Sequence, residues 1–192
     1  MTRYQFISLI CSVFIISGCE SEPVEQVAAK SDYKTLDWEQ LIPKDELEIL
    51  MNPPAYIWEI EDGSEEDQLS SSLQSSPVDQ EQDLYQQALV STNVIDEFDQ
   101  QKVRLPGFIV PLEFNEDSVI TTFFLVPFFG ACTHEPPPPP NQIIYSEYEP
   151  GQKVDNIYEP VWITGIIHTN TQTNHLATSA YSMIVDSVLP YD

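Results

Sequence analysis

A run of five prolines, residues 136–140, is the feature that most limits how this chain can fold. Proline has no backbone N–H and its ring fixes φ, so the run cannot sit inside a β-sheet. It is expected to form an extended polyproline rod of about 15 Å, at about 3.1 Å per residue. The preceding residue, Glu135, is held extended as well. Regular secondary structure must therefore lie on either side of this rod.

The sequence around the rod predicts a small, mainly β domain. From residue 102 onward, β-branched and aromatic runs are bounded by Gly, Pro, Asn and Asp, as in short strands separated by turns. Pro106 and Gly107 inside the first run predict a bulge or a sharp bend, which a small closed sheet needs at its corners. The predicted strands are residues 102–112, 119–128, 142–148, 160–169 and 177–188. We expect a five-stranded barrel of the oligonucleotide-binding type, an architecture that by itself implies no function.

The N-terminus predicts an exported lipoprotein. Residues 1–18 have Arg3 ahead of an apolar run that is too short to span a bilayer and is typical of a signal peptide. The run ends in Ile16-Ser17-Gly18-Cys19, which resembles a bacterial lipobox, so Cys19 is the expected lipidation site. Glu20 follows where an aspartate would favour the inner membrane. The expected location is the periplasmic face of the outer membrane, with acyl chains on Cys19 as the anchor.

The segments that follow differ in composition. Residues 19–34 lack apolar periodicity and are predicted to be a lipidated tether. Residues 35–60 carry apolar residues near helical spacing, interrupted by Pro43, and predict short helical turns that dock on the main domain. Residues 61–80 are acidic and serine-rich and predict a disordered linker. Residues 81–192 are the expected β-rich domain, led by a helix from about residue 80 to residue 90.

The charge of the chain excludes one class of partner. The chain has 7 Lys and Arg against 31 Asp and Glu, a net charge of −24. Such a surface repels phosphates, so nucleic acid is not an expected partner. The acidity is concentrated in a tail and indicates solubility, and it does not by itself argue for a metal site.

The residues just before the prolines carry the chemistry that points to a metal. Cys11 leaves with the signal peptide and the sulfur of Cys19 becomes a thioether, so Cys132 is the only thiol of the expected mature protein. Cys132 and His134 are two apart, so in an extended segment both side chains lie on one face. Thiolate and imidazole are both good zinc ligands. A buried, inert thiol is the alternative interpretation of Cys132.

Zinc normally takes at least three protein ligands, so Cys132 and His134 form only part of a site. The remaining ligands must come from elsewhere in the fold or from a second chain. The candidates are two carboxylates and two histidines: Glu135, Glu113, His168 at the end of the fourth predicted strand, and His175 in the turn after it. For both histidines, an ordinary surface position is the competing interpretation.

The proline rod also predicts a docking surface. Its flat apolar ridge is suited to an aromatic groove, which either belongs to this chain or to a partner. The predicted docking residues are Pro136, Pro137, Pro138, Pro139, Pro140, Asn141, Gln142, Phe128 and Phe129. A thiol enzyme, with His134 activating Cys132, is a third hypothesis. It is opposed by the missing Asp or Asn to orient His134 and by prolines that remove backbone donors, so we do not expect an enzyme.

Four stretches carry a resemblance to a known family. They are "VRLPGFIVPLEF", "FFLVPFFGACTHEPPPPPNQIIY", "EPVWITGII" and "AYSMIVDSVLPYD". Over residues 97–192 the chain resembles an exported bacterial family known as domain of unknown function 3299, and "LDWEQLIP" resembles the docking segment that precedes it.

The resemblance implies small periplasmic proteins or lipoproteins, some encoded beside ABC-transporter components and zinc-responsive genes. It implies that Cys132 and His134 fill the family motif, while His168 and His175 are not clearly required by it. The resulting hypotheses are a zinc-binding lipoprotein accessory to an envelope ABC transporter or to metal homeostasis, and a non-catalytic docking module.

Overall fold

The fold is taken from a computed structural model that describes residues 32–55, 80–116, 119–130, 138–153 and 158–191. The predicted signal peptide, the lipidation site Cys19, most of the tether and nearly all of the acidic linker lie outside these residues. No helix within the described ranges is long and apolar enough to cross a membrane.

The described chain is mainly β, as expected. The strands are β1 (Lys34–Thr35), β2 (Gln101–Phe114), β3 (Ile120–Val126), β4 (Ile144–Gln152), β5 (Val161–His168), β6 (Gln172–Thr173), β7 (Thr178–Ser179) and β8 (Tyr181–Pro190). The α-helices are α1 (Lys44–Met51) and α2 (Gln80–Leu89), and short 3-10 turns span Trp38–Leu41, Asp96–Phe98 and Pro140–Gln142. The long strands fall on the predicted runs, and helical turns lie on both sides of Pro43.

The long strands close into the predicted five-stranded barrel. They are hydrogen-bonded in the order β2-β3-β4-β8-β5, and β5 pairs back onto β2. All neighbours are antiparallel except β4 and β8, which are parallel. The parallel pair requires the long excursion between β4 and β8 that β5 and the β6–β7 hairpin provide.

Strand β2 closes the barrel by changing partner halfway along. Its first half, Gln101–Gly107, pairs with β5, and its second half, Phe108–Phe114, pairs with β3. The predicted corner at Pro106 and Gly107 lies at this change of partner. A Cβ on Gly107 would lie 2.8 Å from the carbonyl oxygen of Val126, so only glycine allows the strands to approach this closely.

The barrel interior is filled by apolar side chains from every long strand. The alternation along β2 buries Val103, Leu105, Gly107 and Ile109, while the residues between them are half-buried. The other long strands contribute Ile120, Phe123, Leu125, Ile144, Ile163, Ile167, Tyr181, Met183 and Val185 to this core. The barrel is therefore a packed core rather than a ligand channel.

The N-terminal segment belongs to the same core. Leu36 and Leu41 are 1% and 0% exposed and pack in one cluster with the barrel residues. β1 runs parallel to β2, and the Leu36 N–H donates to Arg104 O at 2.9 Å. The Trp38 indole N–H donates to Pro106 O at 2.7 Å. Residues 34–42 therefore complete the barrel.

A buried hydroxyl connects this segment to the barrel. Tyr181 is fully buried, and its Oη donates to Leu41 O at 2.9 Å and accepts from the Ile95 N–H at 2.7 Å. Burial is the main cause that raises the pKa of Tyr181 to about 12; the charge of Asp96 adds to it and the Ile95 hydrogen bond opposes it. The neutral hydroxyl is thus the form that the fold stabilises.

Replacing this hydroxyl gives a prediction with a defined pH dependence. Tyr181→Phe is expected to lower the free energy of unfolding at pH 7 by about 2 kcal/mol, because it leaves a buried N–H and a buried carbonyl unpaired. The native pKa lies above the ordinary value near 10, so the hydroxyl's contribution is complete below pH 10 and is lost as pH rises toward 12. The loss is at most about 1.4 kcal/mol per pH unit.

Urea unfolding of both proteins between pH 7 and pH 11 measures this difference. The wild-type advantage should shrink above pH 10. Tyr191→Phe is the matched control, because Tyr191 is 51% exposed, and it should change the free energy of unfolding by less than about 0.5 kcal/mol. A difference between wild type and Tyr181→Phe that stays constant up to pH 11 would contradict the assigned role.

Candidate functional site

The proline motif lies in the connection between β3 and β4. β3 ends at Val126 and β4 begins at Ile144, so residues 127–143 leave and re-enter the barrel at adjacent strands. Cys132, His134, Glu135, Pro136 and Pro137 lie outside the described residues. The structure describes the two flanks of this segment, residues 127–130 and 138–143.

Aromatic contacts hold the upstream flank. The ring of Phe129 meets the edge of Phe108 with centroids 6.2 Å apart and lies against Tyr158 at 4.6 Å. Phe128 and Phe129 are nevertheless 49% and 44% exposed, so the flank presents aromatic surface to solvent. Gly130 follows with φ of 79°, a left-handed conformation that favours glycine.

The downstream flank is built into the fold. Pro138 and Pro139 are buried, and Pro140 begins a 3-10 turn in which the Gln142 N–H donates to Pro139 O at 2.8 Å. Pro140 O accepts from the Ala180 N–H at 2.8 Å, which ties the turn to the start of β8. This half of the proline run therefore packs against its own chain.

The asparagine and glutamine that end the motif bind the N-terminal segment and its surroundings. Gln142 Nε2 donates to Trp38 O at 2.8 Å. Asn141 is fully buried, and its Nδ2 donates to Glu46 Oε2 at 3.3 Å and to Asn93 O at 3.2 Å. These bonds join parts of the chain that are far apart in sequence. Asn141 and Gln142 thus fix the end of the motif to the segment that completes the barrel.

Glu46 on α1 is the centre of this polar network. Its Oε1 accepts from Ser91 Oγ at 2.8 Å and from Asn93 Nδ2, and its Oε2 accepts from Asn141. The two hydrogen bonds that Asn141 Nδ2 donates fix the orientation of the side-chain amide, so that Oδ1 lies on the side opposite these two acceptors. Among the described buried side-chain oxygens and nitrogens, Asn141 Oδ1 is the one without a hydrogen-bond partner. Such an unpaired buried acceptor is unusual in a folded protein.

The other predicted metal ligands occupy two different places. His168 Nδ1 lies 3.7 Å from Asp99 Oδ1 at the end of β5. The pKa of Asp99 is lowered, chiefly by the hydrogen bond from the Thr169 N–H, with His168 a smaller cause. Glu113 and His175 instead line one cavity together. No group of three or more His, Cys, Asp or Glu side chains within the described ranges is placed to hold a metal ion.

The cavity that contains Glu113 and His175 has a volume of about 210 Å³. It lies on the outside of the barrel, between the β2-β3-β4 face and the β6–β7 hairpin, and we call it the outer-face cavity. Its lining is Leu112, Glu113, Thr122, Tyr145, Gln172, Thr173, Asn174 and His175. Glu113 and His175 were predicted from the sequence as site residues, whereas Tyr145 and Thr122 were not. The alternation of side chains along β3 and β4 was the sequence signal that could have placed these two on the outer face.

The fold and the motif define the class: a closed five-stranded β-barrel completed by an N-terminal segment that holds the proline motif. The sequence model of a family described as a protein of unknown function, DUF3299, matches residues 38–190. The chain belongs to this family. The match begins at Trp38 and so includes much of the segment that completes the barrel.

A solved structure of the same family supports the assignment. The crystal structure of a DUF3299 family protein from Pseudomonas aeruginosa PAO1 is similar to this chain, with 33% sequence identity and a TM-score of 0.61. The similarity covers 83% of this chain and 97% of that chain. A search of curated proteins finds no match.

The polar network predicts a specific loss of stability. Glu46→Ala removes the acceptor for Ser91, Asn93 and Asn141 and is expected to lower the free energy of unfolding by roughly 1–3 kcal/mol. Glu48→Ala, at an exposed position of the same helix, is the matched control and should cost less than about 0.5 kcal/mol. Urea unfolding measures both. Equal losses in the two variants would show that Glu46 does not hold the motif.

Proposed function

We propose that this protein is an exported lipoprotein, anchored through Cys19 to the periplasmic face of the outer membrane, that binds zinc with Cys132 and His134. In this proposal zinc is a cargo that the protein holds for an envelope ABC transporter or for metal homeostasis. The proposal rests on the lipobox-like N-terminus, the thiol and imidazole pair of the motif and the family to which the chain belongs.

The observation that carries the proposal is the fixation of both ends of the Cys132–His134 segment. Upstream, Phe129 packs on Phe108 and Tyr158; downstream, Asn141 and Gln142 are buried and hydrogen-bonded. A short segment that is tied at both ends loses less conformational entropy when it binds a ligand. Buried polar contacts therefore fix the chain at positions that are close in sequence to a cysteine and a histidine, as a binding segment requires.

The donor set fits zinc as a weak, open site. A thiolate and an imidazole are preferred zinc ligands, and a nearby carboxylate such as Glu135 or a residue of a second chain would add to them. His168 is engaged with Asp99, and Glu113 shares its cavity with His175. A zinc site with few protein ligands keeps coordination positions open, and through these the ion can be transferred to another protein.

Metal content tests this proposal. Residues 20–192, purified without chelator, should hold about one zinc per chain or per dimer, as measured by atomic emission and by titration with a zinc indicator. Cys132→Ser and His134→Ala should each lose it while keeping the circular dichroism spectrum of the wild type. His168→Ala is the matched control and should retain zinc. The proposal would be refuted if the wild-type protein held no metal and bound zinc no more tightly than the two variants.

A second candidate is a docking module, favoured by the exposed aromatic surface beside the motif. Phe128, Phe129 and Tyr158 are 49%, 44% and 64% exposed, and the last two pack together. An aromatic patch of this kind is typical of a protein-binding surface. Phe128→Ser would then abolish co-purification with a membrane partner and leave zinc binding intact, whereas Cys132→Ser would do the reverse.

A further inference from the structure

We propose that the outer-face cavity binds a small organic ammonium ion. The cavity is formed entirely by described residues and does not depend on the zinc proposal. Its ligand chemistry follows from the side chains that the strands turn toward it, from the carboxylates on and beside it, and from the hydrogen-bonded wall that the β6–β7 hairpin provides.

A β-bulge places a carboxylate in the cavity. Consecutive strand residues normally point to opposite faces, yet Leu112 and Glu113 both line the cavity. The register between β2 and β3 shifts between Pro111 and Glu113, which turns Glu113 toward Thr122. Thr122 Oγ1 donates to Glu113 Oε2 at 3.4 Å. Bulges that redirect a side chain in this way are over-represented next to functional sites.

An aromatic ring lines the cavity, and a second carboxylate lies beside it. Thr122 pairs with Glu147 across β3 and β4, so Glu113, Thr122 and Glu147 form a row on one face. Tyr145 lies two residues before Glu147 and therefore on the same face, with its ring edge packed on Phe124 at 6.2 Å. Burial raises the pKa of Tyr145 first, and the negative charges of Glu147 and Glu113 raise it further. Both carboxylates thus act on the same hydroxyl.

The wall of the cavity is held in place by its own hydrogen bonds. Asn174 Oδ1 accepts from the N–H groups of Leu176 and Ala177 at 2.8 and 3.1 Å, and the hydroxyls of Thr173 and Thr178 lie 3.1 Å apart. Ala177 packs against the apolar cluster on the outside of the barrel. The hairpin belongs to the connection between β5 and β8, which oligonucleotide-binding barrels also use to bind ligands. This analogy concerns the place only, because Glu113 on the lining and Glu147 beside it repel phosphates.

The lining selects a small organic cation. Glu113 on the lining and Glu147 beside it attract positive charge, and the Tyr145 ring on the lining can add cation–π attraction. One carboxylate and one imidazole on the lining are too few to hold a metal ion by themselves. The volume of about 210 Å³ is below the roughly 300 Å³ at which drug-sized pockets begin, so the ligand is an ion of a few heavy atoms or one end of a longer amine.

Titration of residues 20–192 with tetramethylammonium, followed by NMR at low ionic strength, tests the proposal. The cation should shift the amide signals of residues 112–113, 145 and 172–175, and tert-butanol, a neutral molecule of similar shape, should not. Glu113→Gln should weaken binding by about tenfold or more, because it removes a charged partner. Tyr145→Phe should retain most of the affinity, whereas Tyr145→Leu should lose several-fold.

Two controls separate a built site from the bulk attraction of an acidic protein. Glu39→Gln removes one exposed charge elsewhere and should change the affinity by less than about twofold. Equal weakening by Glu39→Gln and Glu113→Gln, or equal binding of tert-butanol, would overturn the proposal. Cys132→Ser should leave tetramethylammonium binding unchanged, so failure here and failure of the zinc proposal are distinguishable.

Discussion

The insertion of Leu36 and Leu41 into the barrel core is the constraint on which the rest of the structure depends. Five strands in a small closed sheet leave the ends of the core open to water, and the N-terminal segment supplies the apolar side chains that complete it. Parallel pairing of β1 with β2 and the Trp38 indole bond to Pro106 fix this segment in one register. Its removal would expose apolar side chains of the barrel.

The proline motif is held by the same segment. Gln142 reaches the backbone of Trp38, and Asn141 reaches Glu46, so the motif and residues 36–51 stabilise each other. The family match, which begins at Trp38, includes most of residues 36–51. These contacts join the barrel, the N-terminal segment and the described end of the motif, residues 138–143, so we expect the three to unfold together.

The local sequence pattern predicted the strands and the barrel, but it did not predict the contacts between residues that are distant in sequence. The β-branched runs follow from short-range physics and were confirmed. The bend predicted at Pro106 and Gly107 coincides with the point where β2 changes its partner. The burial of Asn141 and Gln142 depends on partners far away along the chain, which no periodicity reveals. The outer-face cavity depends on the bulge at Leu112, where one of two register shifts between β2 and β3 decides which side chains face it. Zinc binding, lipidation and the transporter partner stay predictions.

Native-state hydrogen exchange tests the central claim that the N-terminal segment and the motif are part of the barrel. Four backbone amides lie where the N-terminal segment, the motif and the barrel meet, and each donates to an acceptor identified above. They are the amides of Leu36, Ile95, Gln142 and Ala180. They should exchange as slowly as amides of the barrel strands and should open with the same free energy, because one cooperative unit opens as a whole. Fast exchange of these amides, alongside protected strands, would show that the segment and the motif are peripheral to a barrel that folds without them.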